Sequence, residues 1–142
     1  MTRLAFVAAL IGCLGSPVGA QSAPPAPPVP PAPPAPPRVT VVRMVERVPY
    51  GIAFEPARVT ALPGDTVRFV QAGGMTHNVE FRSIPAAVDL GEVRVGPMLV
   101  SVGQTYDIVI DGRFLPGKYV YVCTPHEGFG MAGIIYVEEG AR

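Results

Sequence analysis

The sequence predicts an all-β domain, an antiparallel sandwich or barrel of seven or eight short strands. Three observations carry this. The composition is rich in Val, Gly and Pro, with 16 Gly, 18 Pro and no Trp, which favours strands and turns over helices. From residue 38 onward, apolar and polar side chains alternate at period two in short runs, the signature of half-buried strands. Turn signals recur between these runs at roughly 8–12-residue spacing, as in sandwiches and barrels.

The chain divides into three parts before any strand is considered. Residues 1–20 read as a secretory signal peptide. Arg3 supplies the charge, residues 4–14 an apolar run too short to span a bilayer, and Val18-Gly19-Ala20 a small-residue cleavage pattern. Cleavage there starts the mature chain at Gln21. A competing reading takes Leu10-Ile11-Gly12-Cys13 as a lipobox, which would lipidate Cys13 and leave a membrane-anchored lipoprotein. Residues 21–38 form a Pro-rich linker built of repeated Ala-Pro-Pro and Val-Pro-Pro units. Such a tract cannot be a helix or central strand. As polyproline II, at ~3.1 Å per residue, its proline-rich stretch from Ala23 to Pro37 is a semi-rigid spacer of roughly 45 Å. Residues 39–142 are the folded domain.

Within that domain the expected elements follow in order. Residues 39–48 are a β-branched run ended by Tyr50-Gly51. Residues 58–62 place Val59 and Ala61 on one face, and Pro63-Gly64-Asp65 turns the chain. Residues 66–71 put Val67, Phe69 and Gln71 on one face. Residues 76–81 put His77, Val79 and Phe81 inward, with Asn78 and Glu80 on the other side. A helical turn is expected at 86–90 and a short strand at 98–102. Residues 106–111 alternate again. Leu115-Pro116-Gly117 leads into 118–123, where Tyr119, Tyr121 and Cys123 share a face, and residues 132–138 are the last strand.

Charge excludes one class of partner. With 11 Lys+Arg against 11 Asp+Glu and no basic stripe, nothing points to nucleic acid. The cysteines are more informative. Once Cys13 is set aside in the leader, Cys123 stands alone. An exported chain cannot pair it internally, and a free thiol in an oxidising compartment is a liability.

The stretch Cys123-Thr124-Pro125-His126-Glu127-Gly128-Phe129-Gly130-Met131 gives that thiol a use. Thiolate and thioether are soft ligands suited to Cu(I), and imidazole serves copper generally. Two histidines, one cysteine and a weak axial methionine form a blue-copper electron-transfer site. The loop holds three of the four, and the chain has only one other histidine, His77. Pro125 fixes φ, and Gly128 and Gly130 permit positive φ, so the loop can turn sharply between two strands with His126 at its tip. A sandwich can bring His77 to it, giving three in-plane ligands with Met131 axial. Zinc fits poorly, since it rarely takes methionine. A substrate-activating second copper would need further histidines, so the chain is not expected to be an enzyme.

His77-Asn78-Val79 and Cys123-Thr124-Pro125-His126-x-x-x-x-Met131 resemble the cupredoxin family, most closely plastocyanin and pseudoazurin. Phe54-x-Pro56 with Pro63-Gly64-Asp65, Ile84-Pro85-Ala86-x-Val88-Asp89 and Gly117-x-Tyr119-x-Tyr121-x-Cys123 extend the resemblance over residues 41–137. It implies a Greek-key sandwich with one type 1 copper ion cycling between Cu(II) and Cu(I), carrying single electrons between redox proteins. It implies His77, Cys123, His126 and Met131 as ligands, with His126 the solvent-exposed one and port of the electron. Met75, Pro125, Gly128 and Phe129 would form the docking patch around it. Asn78 would direct its backbone N–H to the Cys123 sulfur and brace Thr124 with its side chain. Two departures from plant plastocyanins stand out: Glu80-Phe81-Arg82-Ser83 replaces an acidic docking run, and Val122 replaces a tyrosine before the cysteine. A photosynthetic partner is therefore not implied. The expected protein is a monomer in the periplasm. A periplasmic copper carrier or store, using the same ligands, is the alternative.

Overall fold

A computed structural model describes residues 36–47, 49 and 51–140. The expected signal peptide, the expected linker up to residue 35, Val48, Tyr50 and residues 141–142 lie outside the described residues.

Eight strands form two four-stranded sheets. They are β1 (Val39–Arg47), β2 (Gly51–Glu55), β3 (Arg58–Ala61), β4 (Thr66–Gln71), β5 (Glu80–Ser83), β6 (Thr105–Val109), β7 (Gly117–Val122) and β8 (Ala132–Val137). One sheet has the order β2-β1-β4-β6, the other β3-β8-β7-β5. From β2 to β7 each successive strand changes sheets, which brings β1 beside β4 and β3 beside β8 in parallel, while the remaining pairs are antiparallel. The sandwich is thus mixed rather than purely antiparallel. Two parallel pairs are possible because strands of the opposite sheet serve as their crossovers.

Period-two alternation places the core between the sheets. Val42 and Met44 of β1, Val67 and Phe69 of β4, Ile108 of β6, Tyr119 and Tyr121 of β7 and Ile135 of β8 are all buried. Aromatic edges interlock at the centre. The Tyr121 ring lies 4.8 Å from Phe54 and 5.2 Å from Phe69, both edge-on, the arrangement aromatic quadrupoles favour. The turn before β4 is pinned by buried Asp65, whose carboxylate accepts the backbone N–H groups of Arg38 (2.7 Å) and Leu62 (2.8 Å).

Three local expectations change. Phe54 lies in a strand of its own, β2, which pairs with β1 in a hairpin. The helical turn expected at 86–90 is instead a tight turn closed by Val88 N–H to Pro85 O, and the 3-10 turn comes later, at Gly91–Arg94. The strand expected at 98–102 shrinks to a single bridge between His77 and Leu99. The apolar residues there, Met98, Val100 and Val102, stay exposed, because of this stretch only Leu99 bridges to the His77 segment and reaches the core.

Candidate metal centre

His77 does not lie within a strand. β5 begins three residues later, at Glu80. His77 is held instead by reciprocal backbone hydrogen bonds with Leu99, N–H to O at 3.1 Å and back at 2.8 Å. Gln71, at the end of β4, braces the same corner. Its Nε2 donates to the carbonyls of Leu99 (3.3 Å) and Met75. The side chain of His77 is fully buried, as the alternation required.

The other donors come from the β7–β8 connection. Cys123 follows β7 directly, residues Thr124–Phe129 form a 3-10 segment with Pro125 in its first turn, and Met131 leads into β8. The loop closes on itself: Cys123 N–H donates to Met131 O (3.0 Å), His126 N–H to Cys123 O (2.9 Å) and Met131 N–H to His126 O (3.2 Å). Gly130 ends the segment at φ 81°, in the left-handed region where glycine is strain-free. Gly128 does not use the positive φ open to it, because the 3-10 turn carries the chain round without a second reversal.

These two segments bring three side chains together. Cys123 Sγ lies 3.5 Å from His77 Nδ1 and 3.3 Å from His126 Nδ1, and the two Nδ1 atoms are 3.1 Å apart. Metal–nitrogen bonds of ~2.0 Å and a metal–sulfur bond of ~2.3 Å span such a triangle at angles of roughly 100–110°. Among the described residues it is the one His/Cys/Asp/Glu cluster of metal-binding size. Met131 is fully buried beside it in sequence, tied through its backbone to both Cys123 and His126.

The electrostatics suit a metal rather than protons. Burial pushes the His77 pKa below its ordinary value, His126 adds to this, and Glu46 opposes it. The imidazole is therefore neutral, with a lone pair to give. Burial raises the Cys123 thiol, while the backbone N–H groups of Asn78 and His126 pull it back. A cation is what such a thiol needs to become the thiolate that ligates.

The expected bracing of the loop is visible. Asn78 is 2% exposed although it alternates away from His77, since the Thr124 segment covers it. Its Oδ1 accepts the Thr124 N–H at 2.8 Å and its Nδ2 donates to Thr124 Oγ1 at 3.1 Å. Thr124 Oγ1 in turn donates to Glu80 at 2.8 Å. Arg82 then bridges Glu80 and Glu127, linking β5 to the loop a second time. Neither this ion network nor Gln71 stood out in the sequence, because single polar residues on strands carry no pattern until their partners are known.

His126 is 6% exposed, against none for His77, Cys123 and Met131. It is less open than the resemblance implied, because Phe129 stands over it with ring centroids 6.4 Å apart. Phe129 itself is 79% exposed and Met75 43%, and Pro125 and Gly128 are also exposed. His126, Met75 and Phe129 line a shallow cleft of about 350 Å³ together with Glu46, Arg47, Pro49, Gly51 and Ile52 of the β1–β2 hairpin.

Known proteins share this architecture. A family profile described as copper-binding proteins of the plastocyanin/azurin family matches residues 42–138. Chloroplastic plastocyanin of Pisum sativum is 35% identical over 91 residues, which is 61% of this chain and 52% of that protein. Plastocyanin of Prochlorothrix hollandica is 35% identical over 89 residues, 63% of this chain and 66% of that protein. The chain thus spans about half the length of the first of these relatives and about two thirds of the second. Among solved structures, pseudoazurin from Methylobacterium extorquens AM1 superposes with a TM-score of 0.53 at 29% identity, covering 70% of this chain and 75% of that one. A reduced amicyanin variant gives 0.54 at 33% identity, covering 70% and 82%. The matched region runs through both sheets and the loop that carries Cys123, so the chain belongs to the plastocyanin/azurin family of copper-binding proteins, the cupredoxins, and its cofactor is one copper ion.

Proposed function

We propose that this chain is an exported type 1 copper protein that carries single electrons between redox partners. His77 through Nδ1, His126 through Nδ1, Cys123 through Sγ and Met131 through its thioether are the residues that would hold the copper. The observation that carries this reading is the buried triangle of one sulfur and two nitrogens with sides of 3.1 to 3.5 Å. When bound, copper supplies the one-electron couple.

The chain's own residues do the rest. Two sheets and a self-bonded loop hold the three donors, contributed by segments 46 residues apart, so the ligand geometry need not rearrange when charge changes. Burial of His77, Cys123 and Met131 excludes water from the site. The edge of His126 is the electron's way out, and the cleft beside it, with Met75 and Phe129, is where a partner would dock. The cleft combines apolar side chains with one acidic and one basic residue, Glu46 and Arg47, so the partners are redox proteins whose docking faces are not selected by charge alone. The chain acts in the periplasm as a monomer and performs no catalysis itself. The lone buried Cys123 is consistent with a compartment where an exposed thiol would be oxidised.

Copper-loaded protein should show an intense visible thiolate-to-Cu(II) absorption, and Cys123→Ser should abolish it. Colour that survives the substitution would overturn the ligand assignment. A colourless protein that retains Cu(I) and resists oxidation would replace electron transfer by copper carriage or storage.

A further inference from the structure

Glu46 sits where a charge is not expected. On β1, Val42 and Met44 face the core, and Glu46 continues that inward face. Its side chain is 22% exposed, and its Oε1 lies 3.7 Å from His77 Nε2. That nitrogen is fully buried and has no hydrogen-bond partner among the described residues. Among the described residues, the carboxylate is thus the anionic group facing the outer nitrogen of the His77 ring.

The loop before His77 is shaped to keep it there. The Met75 backbone N–H donates to Glu46 Oε1. Gly73 lies so close that a Cβ at that position would meet Glu46 Oε1 at 2.4 Å and its Cδ at 2.7 Å. Only a glycine lets the chain wrap the carboxylate. The Gly73-Gly74 pair, which in the sequence only ends a strand, is therefore a cradle for this side chain. The Met75 N–H above all holds the Glu46 carboxyl below its usual pKa; burial opposes it, and the Gly74 N–H adds to the lowering.

We infer that Glu46 is a positioning residue for the electron-transfer site: it fixes the His77 ring from its outer edge and places a negative charge behind it, favouring the more positive oxidation state. This rests on the reading of His77 as a ligand. A carboxylate behind a metal-binding imidazole orients the ring and raises its donor strength. A nearby anion also stabilises the higher charge of Cu(II) over Cu(I). Both effects lower the reduction potential. Among the described residues no carboxylate contacts the His126 ring in this way, so the two histidines are unequal donors.

The test is the reduction potential of the copper-loaded full chain, with Glu46→Gln as the main variant. Glutamine keeps an oxygen that can accept the Met75 N–H but removes the charge. The expected result is a shift of the Cu(II)/Cu(I) equilibrium toward Cu(I) by about tenfold, or about 59 mV for a one-electron couple. Gly73→Ala, which pushes the carboxylate out of its cradle, should move the potential the same way. In the Glu46→Gln background it should add nothing further. In the copper-free protein, the imidazole nitrogen resonances of His77 should move in both variants while those of His126 hold, a readout that needs no copper. If the visible thiolate band is intact in all forms but the potentials coincide and the His77 resonances are unmoved, Glu46 has no such role. If wild-type protein shows no thiolate band, the ligand assignment itself fails, whatever Glu46 does.

Discussion

Replacing Asn78 with Ala cuts the tie between the His77 segment and the Cys123 loop. Two hydrogen bonds are lost, the Thr124 N–H to Oδ1 at 2.8 Å and Nδ2 to Thr124 Oγ1 at 3.1 Å. A net hydrogen bond contributes roughly 1 kcal/mol, and a donor orphaned in a buried place costs about 1–3 kcal/mol. Asn78 is buried but Thr124 is exposed, so water can reach the freed Thr124 groups. The loss should therefore be about 2 kcal/mol, near the low end of that combination. Against a stability of about 5–15 kcal/mol for a domain, the fold survives. Urea unfolding of the copper-free protein measures the loss. Copper release to a competing chelator should accelerate, because the loop carrying Cys123 and His126 has lost its brace to His77. Thr124→Val should cost about half as much, and the double variant should show a coupling energy of at least ~0.5 kcal/mol. A Glu80 effect can be separated, since Thr124→Val also removes the hydroxyl that donates to Glu80. If Asn78→Ala unfolds within ~0.5 kcal/mol of wild type, as ordinary surface changes do, and releases copper at the wild-type rate, the bracing argument is wrong.

Three further outcomes are expected. Met131→Gln should retain copper and lower the potential, because the axial ligand tunes it; an unchanged potential would remove Met131 from the site. Tyr121→Phe should leave urea stability unchanged or raise it by up to about 1 kcal/mol, since the Tyr121 hydroxyl is buried with no partner among the described residues and carries only a desolvation penalty. A clear loss would show that the hydroxyl is in fact satisfied. Asp107, gripped by Arg68 at 2.8 and 2.6 Å, has its pKa held below the ordinary 3.8. Its contribution is full above that value and fades as pH falls through the lower folded-state pKa. Asp107→Asn should therefore flatten the acid limb of stability below pH 3.8 and change little in high salt, where this exposed pair is screened. An acid limb unchanged in slope would refute the pairing.

The sequence by itself determined the class of fold and the chemistry of the site. Period-two alternation forces a hydrophobic face on each strand, and the buried faces of β3, β4 and β7 could be written down without coordinates. The donor set was legible because chemistry limits it: one thiol, two imidazoles and a thioether leave few combinations. What alternation could not supply was partnership across distance. It placed His77 in a strand, whereas a bridge to Leu99 and the side chain of Gln71 hold it. It turned Asn78 away from the core, and only the Thr124 segment folding over it made it buried. Glu46 did carry a sequence signal, a charge in register with Val42 and Met44, but its meaning depended on a glycine pair and a histidine some thirty residues on. The short loop from Cys123 to Met131 was readable as a unit because its donors are local. Its exposure was not, because Phe129 and the β1–β2 hairpin decide how much of His126 meets solvent. Ligand identity is a property of side-chain chemistry, which the sequence states outright. Ligand separation, bracing and access are properties of contacts between distant segments, which only the packed sandwich fixes.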